Sequence, residues 1–291
     1  MLSGRQSNPQ SNLQQAAVIT LVLASCLVSS AGAQTRKEFR FTVGPKANIS
    51  VDTQNGGISV KPGLGNQVVV TATLQSDDVE VDDQQIGNRI EIASHQLRGA
   101  DQSGRVDYEV LIPVDSTVAL HAFAGSVSAE GLQGDITLIA SDTITAHDTS
   151  NAHLHVQTMG ASVNLSDIRN GHVEVSSISG NVSLKSVNGP SIVVTTSSGK
   201  ISYDGEFGSG GEYRFGTHNG DIQALVPLNV SANFRAHSML GRVQHDFPLK
   251  KRQHDRFPSD EASSFVGTSG KAASDVVLRS FSGKIRLTQT R

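Results

Sequence analysis

The sequence predicts an all-β chain: a single-stranded β-solenoid (β-helix) with rungs of about 20 residues and a less regular N-terminal β region. Three observations carry this. In the stretch Gly160–Tyr203, GASVNLSDIRNGHVEVSSISGNVSLKSVNGPSIVVTTSSGKISY, the residues Val163, Val182 and Ile201 return at one constant interval. From Val118 onward each repeat holds two short alternating segments. The first are anchored at Val118, Ile136, Leu154, Val173, Ile192, Tyr213, Phe234 and Val276; the second at Val127, Ile144, Val163, Val182, Ile201, Ile222, Val243 and Ile285. Each second anchor follows its first by nine residues, except Ile144, which follows by eight. Each anchor has a partner slot two positions on, and of these 32 slots only His245 is not apolar, in a chain that is 37% hydrophobic. Third, glycine stands two residues before the second anchor at Gly125, Gly180, Gly199, Gly220, Gly241 and Gly283. A repeated glycine at one slot marks a corner that needs either a positive φ or close backbone approach.

Side chains alternate faces along a strand, so the slots point inward and the residues between them outward. The outward positions of the second strands run Ser128, Thr145, Asn164, Ser183, Ser202, Gln223, Gln244 and Arg286. With rungs about 4.8 Å apart, eight of them span roughly 35–40 Å. Tyr203, Tyr213, Phe215 and Phe234 widen the interior toward the C-terminal end. The step from Val243 to Val276 is about three times as long as the corresponding steps elsewhere, such as Ile201 to Tyr213 or Ile222 to Phe234. It contains FPLKKRQHDRFPSDEASS, so 246–274 is expected to be a loop insertion after which the coil resumes and ends at Leu287.

Ahead of the repeats, residues 34–117 form an N-terminal β-strand region that caps or continues the coil. Its alternating pairs are Ile49/Val51, Ile58/Val60, Val68/Val70, Val79/Val81 and Ile90/Ile92, separated by turns such as Asn55-Gly56-Gly57. Residues 94–104 break the pattern as a loop, and Val106–Ile112 is the longest clear strand, closed by Pro113. No segment carries the three-and-four apolar spacing of a helix.

Residues 1–33 read as a signal peptide. AAVITLVLASCLVSSAGA (16–33) is the longest apolar run, Arg5 precedes it, and Ala31-Gly32-Ala33 fits a signal-peptidase site with Gln34 as the first mature residue. Two alternatives compete: a membrane anchor, against which the run is marginal in length and dotted with polar residues, and a lipoprotein joined through Cys26 of Leu23-Ala24-Ser25-Cys26. Cys26 is the only cysteine, so cleavage after Ala33 leaves no thiol or disulfide chemistry. The expected location is the periplasm or cell surface, with no transmembrane span in the mature chain. The 24 Lys+Arg against 27 Asp+Glu imply no general affinity for nucleic acid or for an anionic membrane.

SSISGNVSLKSV (176–187), TSSGKISYDG (196–205) and THNGDIQALV (217–226) resemble the bacterial DUF4097-type adhesin-like family of β-strand repeat proteins, firmly over 118–291 and loosely over 34–117. The resemblance implies a cell-envelope or secreted β-solenoid and brings no catalytic residues.

Candidate sites weigh toward blander roles. His153, His155 and His172 could share a face, but a structural metal site needs three or four converging ligands, and His155 beside Glu174 is more simply a cross-strand polar pair. His245, beside the insertion, is expected to tolerate solvent. Solenoid enzymes that cut polysaccharides flank one bond with an acid and a base. The positions that follow the second strands here are Glu130, His147, Ser166, Lys185, Asp204, Leu225, Asp246 and Thr288, whose acids stand a rung or more apart. Asp204 and Glu206 fall in a turn, where both types are common. LKKRQHDR (249–256) is a solvated loop before it is an anion site. Thr143/Thr145 and Thr195/Thr196 do not extend into a regular threonine ladder, which disfavours an ice-binding face. The expectation is therefore an exported, non-enzymatic, adhesin-like binding or structural protein with no cofactor or metal, its partner an envelope protein or polysaccharide. A carbohydrate-active solenoid enzyme and a periplasmic sensor module are the alternatives. A bare terminal rung would also permit self-association edge to edge.

Overall fold

The computed structural model describes residues 34–97, 104–251 and 263–290, all within the compact unit Gly32–Arg291. Residues 1–33, expected to be a signal peptide, with Cys26 among them, and most of the basic stretch 249–256 lie outside the described residues. Those described form 25 strands and no helix, in one twelve-stranded and one thirteen-stranded sheet. The chain is an all-β solenoid.

In the regular middle, each rung gives one strand to each sheet. His172–Ser177 pairs in parallel with Ala152–Thr158 on one side and Ser191–Thr196 on the other. In the facing sheet, Val182–Val187 lies between Val163–Ile168 and Ile201–Asp204, again in parallel. The registers set slot on slot: Val163, Val182, Ile201 and Ile222 stack as one column. The apolar slots are all buried between the sheets, and His245 is exposed. Where the rungs lengthen, Tyr203, Phe207, Tyr213 and Phe234 form a packed aromatic cluster with ring centroids 4.9–6.2 Å apart. Tyr203 donates its hydroxyl to the Val187 carbonyl at 3.0 Å, and Tyr213 donates to that of Gly189 at 2.8 Å, so both phenols are satisfied at the core margin.

The glycine corners owe their residue to close approach. A Cβ on Gly199 would stand 1.9 Å from the Gly180 carbonyl oxygen, and one on Gly220 would stand 1.9 Å from that of Gly199. From Gly180 onward each corner is held by a hydroxyl three residues earlier. Ser177 Oγ accepts the Gly180 N–H at 2.9 Å, Thr196 Oγ1 that of Gly199 at 3.1 Å, and Thr217 Oγ1 that of Gly220 at 3.0 Å. These hydroxyls sit where the third inward slot would be. They satisfy amide donors that the turn would otherwise bury unpaired.

The order of the last rungs differs from the order in sequence. Ser274–Ser280 does not stack beyond Ala232–Ser238; it lies between that strand and Glu212–Thr217, parallel to both. Ile285–Gln289 likewise separates Ile222–Val226 from Val243–His245. The glycine column follows the same order. A Cβ on Gly283 would fall 1.7 Å from the Gly220 carbonyl oxygen, and one on Gly241 would fall 2.1 Å from that of Gly283. The coil skips one rung, turns back and fills the gap with its own C-terminus. The reason lies in 246–274, which is not simply a loop. Ser264–Ser269 runs antiparallel along Ala232–Ser238, with Lys250–Lys251 outside it. Phe247 is buried, and Leu249 and Phe265 pack against the core. This hairpin occupies the outer edge, so the next rung has to enter from inside.

The N-terminal end repeats the device in reverse. Asn48–Thr53 lies between Thr117–Ala122 and Arg89–Gln96, and Ile58–Pro62 lies between Val127–Glu130 and Val106–Ile112. Antiparallel strands then cover this end: Val79–Ile86 in one sheet, and Gln67–Leu74 followed by Thr35–Thr42 in the other. Asp82, Asp83 and Glu80 on one of these outer strands, and Arg36, Lys37 and Arg40 on the other, blunt the free edges with charge. Of the four sheet ends among the described residues, three are therefore antiparallel caps. Val243–His245 is the one bare parallel rung, which narrows the expected edge for self-association to that strand.

Candidate functional site

Two flat outer faces and one corner groove present the polar groups. On the twelve-stranded sheet, Ser128, Thr145, Asn164, Ser183, Ser202 and Gln223 stand in register on successive rungs. Ser126, Thr143, Ser162 and Asn181 form a second column beside it, tied by the Val127, Ile144 and Val163 amides donating to the carbonyls of Thr143, Ser162 and Asn181. All are exposed or half-buried. Over the four rungs from Ser126 and Ser128 to Asn181 and Ser183 the result is a strip of hydroxyl and amide groups without a charge, spaced by the backbone ladder at about 4.8 Å. Lys200 and Asp221, whose carbonyls accept from the Val182 and Ile201 amides, continue the second column beyond it. Charges border it. Lys61 Nζ meets Glu130 Oε2 at 2.9 Å, and His147 Nε2 lies 3.8 Å from the same oxygen. The Lys61 partner holds the Glu130 carboxyl below the usual range, and Glu130 raises the Lys61 ammonium in turn.

The thirteen-stranded sheet carries the three histidines singled out by sequence. His153 lies 3.6 Å from Asp135, His155 lies 3.5 Å from Glu174, and the rings of His153 and His172 are 4.7 Å apart. His121 similarly meets Asp52 at 3.1 Å. The register thus brings together the three histidines singled out by sequence: His153 and His155 meet acids on neighbouring strands, and His172 packs its ring on His153. Among the described residues no three His, Cys, Asp or Glu side chains converge as metal ligands. Exposed pairs of this kind each contribute little to stability.

The groove runs along the corner opposite the glycine column. Asp167, Arg169, Ser186, Asn188, Asp204 and Glu206 line it. The sequence left Asp204 and Glu206 isolated in a turn; the corner places them in one groove with Asp167 and Arg169, two rungs earlier. The signal was available, because Asp148, Asp167 and Ser186 follow one another at the same interval as Val163, Val182 and Ile201. All three adopt a left-handed φ of 53–55°. Next to them Asn170 Nδ2 donates to Asn151 Oδ1 at 2.7 Å, the start of an asparagine ladder along the same corner. Asp167 and Glu206 are exposed and Asp204 is half-buried. A general acid for glycoside cleavage needs a carboxyl kept protonated by an apolar enclosure, and this open groove does not enclose its acids.

The tyrosines all titrate above their ordinary range. Burial pushes the Tyr108 phenol up to about 12, and burial likewise raises Tyr203 and Tyr213. These are the chain's three tyrosines. An unfolded phenol ionises near pH 10, so the stability due to a protonated, buried Tyr108 is complete below that pH. It is lost as pH rises through the window from about 10 to 12, to a limit of about 2–3 kcal/mol. An ultraviolet difference titration is therefore expected to show no phenolate at pH 10, and above that a single step coinciding with loss of the β-sheet circular dichroism signal. Phenolate appearing near pH 10 in the folded protein would contradict the packing described.

These features define a two-sheet β-solenoid whose outer faces carry stacked polar columns. The chain belongs to the Toastrack DUF4097 family, whose model matches residues 46–288. Solved structures with a similar outline include a provisionally described adhesin from Bacteroides fragilis (10% identity, 88% of this chain and 98% of that one, TM-score 0.46). Another, of like description, is from Parabacteroides distasonis (10% identity, 89% and 98%, TM-score 0.40). A cell adhesion protein, also so described provisionally, from Clostridium sporogenes shares 12% identity over 88% of this chain and 100% of its own, with a TM-score of 0.29. Among curated proteins none matches the sequence.

Proposed function

We propose that the protein is an exported, non-enzymatic, adhesin-like module of the bacterial cell envelope that binds an uncharged polysaccharide along its twelve-stranded face. The observation that carries this is the four-rung uncharged ladder Ser128–Thr145–Asn164–Ser183 with its companion column Ser126–Thr143–Ser162–Asn181. Hydroxyl and amide groups donate and accept toward sugar hydroxyls, and a rigid ladder loses little entropy when an extended polymer lies along it. A signal-peptidase site after Ala33 and the family's adhesin-like relatives support export. The bare Val243–His245 edge offers a route to self-association in that setting.

The test uses the chain from Gln34 on, screened against envelope polysaccharides for retention and for turnover together. Retention of a neutral polymer without turnover is expected. Asn164→Glu with Ser183→Glu, both exposed positions, should weaken retention at least tenfold while leaving thermal unfolding unchanged. Polymer cleavage abolished by Asp204→Ala would establish the enzyme alternative instead.

A further inference from the structure

A ridge of apolar tips follows the glycine corner on its solvent side. The residue after each inward hydroxyl or alanine points out here, and it is Phe123, Met159 and Ile178 on three of the middle rungs, 87%, 76% and 55% exposed. At the C-terminal end the ridge is concentrated by the intercalated rung. Met239 and Leu240 are 63% and 71% exposed, and Phe281 is 38% exposed. They are neighbours, because the Met239 amide donates to the Ser280 carbonyl at 3.1 Å and that of Leu240 to the Phe281 carbonyl at 2.7 Å. The Phe281 ring lies flat on His218, with centroids 4.5 Å apart and planes 9° from parallel, which fixes it as a platform.

Cations flank these tips on both sides. Lys284 and Arg242 stand on adjacent rungs of the twelve-stranded sheet, the Ile285 amide donating to the Arg242 carbonyl at 2.9 Å. Arg279 stands on the other flank, opposite His237. All three are exposed, and none is ion-paired among the described residues. The acid within this cluster, Asp221, is turned to the backbone and accepts the Lys284 N–H at 2.7 Å.

The geometry points to a docking site for a lipid surface bearing anionic headgroups, made by Phe281, Met239 and Leu240 with Arg242, Arg279 and Lys284. Charge complementarity selects an anionic partner. Size selects a fluid one: the apolar part is three side chains, Met239, Leu240 and Phe281, whereas a stable protein interface needs roughly 800 Å² per partner. Apolar tips enter the acyl boundary while cations meet headgroups, and each surface cation strengthens such binding about fivefold. The inference does not depend on which polymer the flat face holds. It adds an orientation: docked by this corner, the solenoid lies with the polar faces on either side of it free.

Co-sedimentation of the chain from Gln34 on tests this, with vesicles of phosphatidylcholine alone and of phosphatidylcholine with equimolar phosphatidylglycerol. Binding to the anionic vesicles, weakened severalfold by raised salt, is expected. Met239→Ser with Leu240→Ser should reduce it at least tenfold, and Arg242→Gln with Lys284→Gln by a further factor of similar size. Leu64→Ser, a 94% exposed residue in the turn between two N-terminal strands, should leave it unchanged. Circular dichroism and thermal unfolding of each variant verify the fold. No binding to anionic vesicles, equal binding to both vesicle types, or binding that the two paired variants leave intact would overturn the proposal, as would capture of an acidic protein by a chain that ignores the vesicles.

Discussion

A chain ending at Ala273 is expected to lose cooperative folding, not to shorten by one rung. The deleted strands Ser274–Ser280 and Ile285–Gln289 are hydrogen-bonded on both sides, to Glu212–Thr217 and Ala232–Ser238 in one sheet and to Ile222–Val226 and Val243–His245 in the other. Their inward Val276, Leu278, Ile285 and Leu287 are completely buried. Burying four such side chains is worth on the order of 10 kcal/mol, comparable with the whole stability of an ordinary domain. The deletion also strands the Ala232–Ser238 rung, because its parallel partner in the thirteen-stranded sheet is the segment removed. Had the rungs stacked in sequence order, the same cut would trim an end and leave the rest intact. Denaturant unfolding followed by circular dichroism and limited proteolysis distinguishes the two. A truncated chain that unfolds cooperatively near the midpoint of the intact one would disprove the intercalated order.

Gly220→Val should destabilise the protein by about 3 kcal/mol or more, at the upper end for an inserted core side chain. Its first added carbon would fall 1.9 Å from the Gly199 carbonyl oxygen and 2.8 Å from Thr217 Oγ1. Neither can yield cheaply, since the carbonyl belongs to the stacked corner below and Thr217 Oγ1 holds the Gly220 amide at 3.0 Å. The corner above, Gly283, rests in turn on the Gly220 carbonyl, so the displacement is passed along the column. Gly65→Val is the matched control: no atom approaches its Cβ within 4 Å, and the cost there is limited to the strain of a left-handed φ of 65°. A Gly220 variant whose thermal midpoint equals that of the Gly65 variant would remove close approach as the reason for the glycine column.

How far the fold could be read in advance depended on whether a feature is periodic. The inward slots and the glycine corners repeat at nearly constant intervals, and a solenoid turns sequence interval directly into spatial stacking. Val163, Val182 and Ile201 therefore meet in space as their spacing says they should. The polar ladder of the flat face was legible for the same reason. The groove was less so. Asp204 and Glu206 stood as turn residues, and their meeting with Asp167 and Arg169 needed a corner whose left-handed residues pull successive turns into line. The basic apolar corner was not legible at all, because Phe281 and Met239 are far apart in the chain, with the whole insertion between them, and one rung apart in space.

By itself the sequence determined the two-strand rung, the side of each strand that is buried, and the residues at each corner. Those are local consequences of alternation and of glycine's missing side chain. Only the tertiary structure decided the order of the rungs at both ends. Every rung carries the same apolar slots, so the slots cannot specify which neighbour a rung takes. That choice fell to the strands that cover the ends. Once Ser264–Ser269 has closed the outer edge of Ala232–Ser238, the inner edge is the place left for the final rung, and it is there that the exposed cations and apolar tips come together.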